Sequence, residues 1–153
     1  MIYAIARIDK SSRARLSWIQ SFAASFGIVP KPIYGHITLC PLEETAIDAC
    51  KNALTGTAPI SVDVESLAVL DNAPAVAALA ATESGLNEIR RKLGAEDAWL
   101  PHIELLRDSL VNPNWVLMAM KEMFQPFTAT VDRIEFVRNT GRGFEVLDAV
   151  DLT

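Results

Sequence analysis

The chain has 153 residues, half of them hydrophobic, with 14 Lys and Arg against 19 Asp and Glu and a formal charge of −5. That length suits one domain able to bury ~70% of the surface its unfolded form exposes. The acidic balance, with a pI near 5.0, argues against a protein that coats long nucleic acid, which needs clustered Lys and Arg. The two cysteines, Cys40 and Cys50, are too few for a disulfide framework. They read as small buried hydrophobes in a reducing compartment, so a cytoplasmic setting is expected. No stretch approaches the ~18 apolar residues of a membrane span.

Taken in order, IYAIARI at 2–8 is apolar and rich in strand formers, a buried strand rather than a signal peptide because Arg7 interrupts it. Ser11 or Ser12 then offers a helix N-cap, and Leu16, Ile19, Phe22, Ala23 and Phe26 recur at helical spacing until Gly27. A loop with two prolines, IVPKPIYG, leads into HITLC as a short strand. A helix over 43–54 turns Ala46, Ile47, Cys50 and Leu54 inward. PISVDVESLAVL (59–70) is a long strand, turned by DNAP into AVAALAAT.

The same order then begins again. A helix at 83–93 buries Leu86, Ile89 and Leu93, with Arg90, Arg91 and Lys92 forming an exposed face. PHIELLR is a strand preceded by Trp99, which packs the loop. Asn112 and Pro113 start a helix carrying Val116, Met120, Met123 and Phe124. PFTATVDRIEFVR (126–138) is a long strand, and the GRG of 141–143 turns it into FEVLDAVDL. His102 follows His36 by 66 residues (102 − 36), and Pro126 follows Pro59 by 67 (126 − 59), as Ile134 follows Leu67 (134 − 67). The expectation is one domain, 1–153, of two similar lobes, with repeat halves 1–73 and 74–153 and one histidine strand in each.

Those are the chain's two histidines. Strand side chains alternate faces, so His36 and Thr38 share one face opposite Ile37 and Leu39, and His102 and Glu104 share one opposite Ile103 and Leu105. If the polar faces meet in a cleft, one neutral imidazole can take a proton from an attacking hydroxyl or water while the other, protonated, donates to a leaving oxygen. A Thr hydroxyl can donate to a non-bridging phosphate oxygen. That chemistry suits in-line displacement at phosphorus and calls for no cofactor or metal. The sequence has no glycine-rich phosphate loop, zinc spacing or nucleophile elbow.

H-I-T-L at 36–39 and H-I-E-L at 102–105 resemble the paired H-h-[T/S]-h motifs (h hydrophobic) of the two-histidine (2H) phosphoesterase superfamily, which includes the 2′-5′ RNA ligases and RNA 2′,3′-cyclic phosphodiesterases. The resemblance implies a bilobal α+β fold with pseudo-twofold symmetry, two antiparallel-rich sheets facing a central cleft and helices outside. It implies a phosphoesterase acting on a small phosphodiester such as a 2′,3′-cyclic nucleotide or RNA end. His36 and His102 would be the acid–base pair and Thr38 a phosphate-orienting hydroxyl. Glu104 departs from the pattern: an ionised carboxylate cannot donate to phosphate. It leaves three roles open: holding His102, accepting from a substrate hydroxyl, or marking a second motif that has decayed. The last would make the protein a non-catalytic module for binding a nucleotide or RNA end. Tyr3 and Arg7 on the first strand, Tyr34 two residues before His36, and Arg138 at the end of the long strand are candidates to bind substrate.

Overall fold

The computed structural model describes residues 1–22, 25, 35–70, 75–107 and 112–153. β1 (Ile2–Ile8) leads into α1 (Lys10–Phe22), followed by β2 (His36–Leu42), a 3₁₀ turn (Glu44–Ala46), α2 (Ile47–Leu54) and β3 (Ile60–Leu70). The series β4 (Ala75–Ala80), α3 (Gly85–Lys92), β5 (His102–Arg107), α4 (Pro113–Lys121) and β6 (Phe127–Asn139) repeats that order, and β7 (Phe144–Asp151) closes the chain. Ala23, Phe26 and Gly27, the IVPKPIY segment with Tyr34, and the DNAP turn lie outside the described residues.

The strands form one antiparallel sheet in the order β2-β1-β6-β3-β4-β5, with β7 added beside β6. The two halves of the sheet are therefore continuous through the β3–β6 ladder. That ladder pairs Ile60 with Val131, Val62 with Ala129 and Val64 with Phe127. The 67-residue offset maps this ladder onto itself, exchanging the first and last of these pairs and returning the middle one to itself. β2 and β5 stand at opposite ends of the strand order yet touch each other, so the sheet curls until its two edge strands meet.

Strand alternation selects the core. Ile2, Ala4, Ala6 and Ile8 of β1 join Ile37, Leu39, Val62, Val64, Ile103, Leu105, Ala129, Val131, Ile134 and Phe136 in a single apolar cluster with Leu16, Leu86, Ile89 and Met120 from the helices. Each large side chain fully buried in this way contributes ~1.5–3 kcal/mol. The interior sides expected for Ile47, Cys50 and Leu54 of α2 and for Leu86, Ile89 and Leu93 beside α3 are as the periodicity predicts. Gly85 lets α3 approach β3: a Cβ there would come within 2.8 Å of Ile60 Cγ2.

Asn112 caps α4 as expected, its side chain accepting from the Asn114 N–H. The start of α1 differs from expectation. Asp9 is the cap, accepting from the Ser12 N–H at 3.1 Å, while the Ser11 and Ser12 hydroxyls also donate to its carboxylate. The Thr130 N–H donates to it as well, at 2.8 Å. A carboxylate offers about four acceptor positions against a hydroxyl's two, so one side chain serves the cap and ties the helix to β6. Burial alone would raise the Asp9 carboxyl, but these bonds outweigh it and hold it well below the ordinary carboxylate range.

Candidate active site

Where the edge strands β2 and β5 approach, a cavity of about 710 Å³ opens, and His36, Thr38, His102 and Glu104 all line it. Their strand partners Ile37, Leu39, Ile103 and Leu105 are buried in the core at 0–2% exposure. The alternation that anchors the apolar residues thus turns the polar ones to the cavity. Gly35 sets the entry to β2. Its φ of +59° is a left-handed conformation, and a Cβ there would collide with the Arg13 side chain. Its carbonyl accepts from the Ile8 N–H at 3.2 Å, which locks the start of β2 against the end of β1.

The two imidazoles have different surroundings. His36 stands across the ladder from Arg7, and the Phe144 ring meets it edge-on with centroids 5.0 Å apart. Burial, then the nearby charges of Arg7 and His102, lower the His36 pKa to about 4, so the ring is neutral at physiological pH. His102 places Nδ1 2.8 Å from the Leu100 carbonyl oxygen. In the tautomer that donates this bond, Nε2 is the atom left to exchange a proton.

Thr38 is exposed on the cavity wall. Glu104 is not alone there: Arg107 Nε and Nη2 donate to its two oxygens at 2.9 and 2.8 Å. Arg107 and Arg142, the latter at the tip of the β6–β7 hairpin, line the same cavity. Two guanidinium groups against one carboxylate give the cavity positive charge within an acidic chain. This is what an anionic ligand needs, and no broad basic surface is required.

Of the other substrate-binding candidates, Arg7 lies one strand behind His36, its Nη1 3.4 Å from Glu135. Arg138 is held by Glu44 at 2.9 Å and Glu145 at 3.3 Å. Tyr3 pairs with Pro41 and Val137 near the far end of β1. None of these three lines the cavity, and Tyr34 lies outside the described residues. Residues that sequence reasoning passed over do line it: Arg107, Arg142, Phe144 and Gln20. Another expectation is corrected by burial. Arg90 belongs to no exposed face but is 5% exposed. It donates to the Leu39 and Asp97 carbonyls and to the Asp97 carboxylate, with its guanidinium 4.4 Å from the Trp99 ring.

Among the described residues there is no cluster of three or more His, Cys, Asp or Glu arranged to hold a metal, and no helix is long and apolar enough to cross a membrane. No protein-family model and no curated protein matches the chain. Solved structures do. TT0787 of Thermus thermophilus aligns with 99% of this chain and 97% of its own, at 19% identity and a TM-score of 0.73. LigT of E. coli in its ATP complex aligns with 99% of this chain and 97% of its own, at 15% identity and a TM-score of 0.64; LigT has also been solved with NADP+ and with 3′-AMP. A structure described as a phosphoesterase aligns with 99% of this chain and 97% of its own, at 14% identity and a TM-score of 0.58. The curled antiparallel sheet, the helices packed on it and these whole-length likenesses agree with the paired histidine motifs: the chain has the two-histidine phosphoesterase fold.

Proposed function

We propose that this protein is a phosphoesterase that cleaves a small phosphodiester, such as a 2′,3′-cyclic nucleotide or the cyclic end of an RNA. The proposal takes the chain as two similar lobes, 1–73 and 74–153, that each present one histidine to a shared cleft. The observation that carries it is the convergence of His36, Thr38, His102 and Glu104 on one cavity. That cavity carries two guanidinium groups against one carboxylate and, at about 710 Å³, is large enough for a nucleotide. LigT, which shares the fold, has been solved with ATP, NADP+ and 3′-AMP, which favours a nucleotide ligand here.

The difference between the imidazoles suggests their roles. His36, neutral at pH 7, takes a proton from the attacking water as its oxygen bonds to phosphorus. His102, oriented through the Leu100 carbonyl, gives its Nε2 proton to the leaving oxygen as the opposite P–O bond breaks. Thr38 and the Arg107 and Arg142 guanidinium groups are the donors on hand for the non-bridging oxygens, where charge accumulates. After one turnover His36 holds the proton and His102 lacks it, and exchange with water restores both.

The test is a panel of 2′,3′-cyclic nucleotides and cyclic-ended oligoribonucleotides, with kcat/KM followed against pH. Turnover with a bell-shaped profile is expected, its acid limb reporting the base of the free enzyme, near pH 4 from the His36 pKa. A second reading, a binding module with a decayed second motif, is favoured by Glu104 standing where the family pattern has Thr or Ser. Nucleotide binding without turnover of any member of the panel would establish that reading and dismiss the first.

A further inference from the structure

Each histidine strand carries one extra residue in the same place. Against β1, β2 passes from Thr38 opposite Ile5 to Cys40 opposite Ala4, so Leu39 has no partner in the register. Against β4, β5 passes from Glu104 opposite Ala77 to Leu106 opposite Val76, so Leu105 has none. A bulge bends its strand and re-aims the neighbouring side chains. Both bulges fall directly after the pair of residues that faces the cavity.

A buried carbonyl at such a point needs a donor from elsewhere. In both cases a buried side chain from a helix of the other half of the chain supplies it. Arg90 Nε of α3 donates to the Leu39 carbonyl at 2.9 Å, and Gln20 Nε2 of α1 donates to the Leu105 carbonyl at 2.7 Å. Arg90 is 5% and Gln20 6% exposed. The ties cross. α1 precedes β2 in the chain but holds β5; α3 precedes β5 but holds β2. Arg90 is fixed in turn by Asp97 and Trp99, so its end of the tie is rigid.

We propose that Gln20 and Arg90 are positioning residues which, acting through the two bulge carbonyls, set the separation of His36 and His102 across the cavity. The proposal rests on the reading of these histidines as an acid–base pair at one phosphate. Proton transfer to both sides of a single phosphorus tolerates little displacement, and a misplacement of about 1 Å can cost roughly a hundredfold in rate. Simple burial of a polar group would not need a donor from the opposite half each time. The crossing provides something local packing cannot: each histidine strand is held to a helix from the other half.

The decisive variants are Arg90→Met, Arg90→Lys and Gln20→Leu in the full chain. Arg90 is the cleaner site, because it does not line the cavity whereas Gln20 does. The expected result is a fall in kcat of roughly ten- to a hundredfold in Arg90→Met and Gln20→Leu, with KM changed only a few-fold and partial recovery in Arg90→Lys. Histidine NMR supplies a readout that needs no turnover. The His36 titration is held low in part by the charge of His102, so it should move upward when either tie is cut. Variants that lose thermal stability but keep both imidazole titrations and kcat would overturn the proposal and leave the ties purely structural. If Arg90→Met fails to fold, Gln20→Leu applies the same test from the other side. If the wild type cleaves no phosphodiester, the enzymatic reading fails, and the titrations still decide whether the ties set the spacing.

Discussion

The surroundings of the two histidine strands differ far more than their backbones do. β2 and β5 share a burial pattern, a bulge and a tie to a helix. Across the ladder from His36, however, stands Arg7, whereas across from His102 stands Leu79. One strand further in, Glu135 lies beside Ile5 while Ala68 lies beside Ala77. The first half therefore backs its histidine with a chain of charges: Arg7 to Glu135, Glu135 to Arg133, and Arg133 to Asp151 on β7. β7 also brings Phe144 against the ring. The second half backs its histidine with uncharged residues, Leu79 and then Ser66, and instead places charge in the cavity itself, as Glu104 and Arg107. Similar strands thus present a half-buried, neutral imidazole beside Arg7 on one side and, on the other, a half-buried imidazole two residues from the Glu104–Arg107 ion pair. Acid–base chemistry at one phosphate needs such a division, since the two groups must be in opposite protonation states at the same pH.

The largest effect should come from removing either ring. His36→Ala and His102→Ala are each expected to lower kcat by ~10²–10⁴-fold. The leaving group tells them apart. A nucleoside phosphodiester with a p-nitrophenolate leaving group departs without protonation, so His102→Ala should recover much of its loss on that substrate and His36→Ala should not. The reverse pattern would exchange the assigned roles. Equal recovery would mean the two sides are not specialised.

The parts of this arrangement that were legible from sequence are those governed by local pattern. Alternation in HITLC and HIELLR placed the four polar residues on one face, and periodicity placed Leu86, Ile89 and Leu93 inside. The failures have separate causes. Strict alternation puts Arg107 on the face opposite His102, but the bulge at Leu105 shifts the phase, so Leu105 and Leu106 both point to the core and Arg107 returns to the cavity. The doubled apolar residues, Leu105–Leu106 and Leu39–Cys40, were the visible signal, for they break a period of two in the same place in both strands. Arg90 was misjudged because its partners Leu39, Asp97 and Trp99 are assembled by tertiary contact. Within α3 alone, Arg90, Arg91 and Lys92 look alike. Ser11 and Ser12 are sound caps by type, yet Asp9 beside them can accept from both and from β6.

Stability should respond to pH in two steps. The folded state holds His36 near 4 against ~6.5 when unfolded, so the unfolded chain binds the extra proton more readily between those values. The stabilisation is fully present above pH ~6.5 and is lost as pH falls towards 4, by about 3 kcal/mol at most. Asp9, whose carboxyl is depressed, contributes stability above the ordinary carboxylate range that is lost only in stronger acid. Denaturant melts from about pH 8 to about pH 4 should show the first step in the wild type and not in His36→Asn, and melts carried on below about pH 3 should show the second in both. Persistence of the first step in His36→Asn would assign it elsewhere.

A smaller change tests the charge chain itself. Arg7→Met removes a cation beside His36 and leaves Glu135 with Arg133 as its remaining partner, so both effects raise the His36 pKa. The acid limb of kcat/KM should move to higher pH, while the alkaline limb stays in place. An unmoved acid limb would break the link between the first half's charges and the base.

The smallest effect is expected at Glu104, where the second histidine motif departs from the first. Glu104 and Arg107 form an exposed pair, 39% and 54% accessible, and such pairs contribute at most ~1 kcal/mol, so Glu104→Thr should leave the melting temperature almost unchanged. Its influence on an anionic ligand is of similar size. Two like charges ~4 Å apart repel by ~1 kcal/mol in water, and removing the carboxylate also releases Arg107 towards the phosphate. KM should fall about fivefold with kcat little altered. A fall in kcat at unchanged KM would instead make the carboxylate a participant in the transition state. Turnover that appears only in Glu104→Thr would identify the natural second motif as decayed, because a hydroxyl at that position would then be supplying what the wild-type cavity lacks.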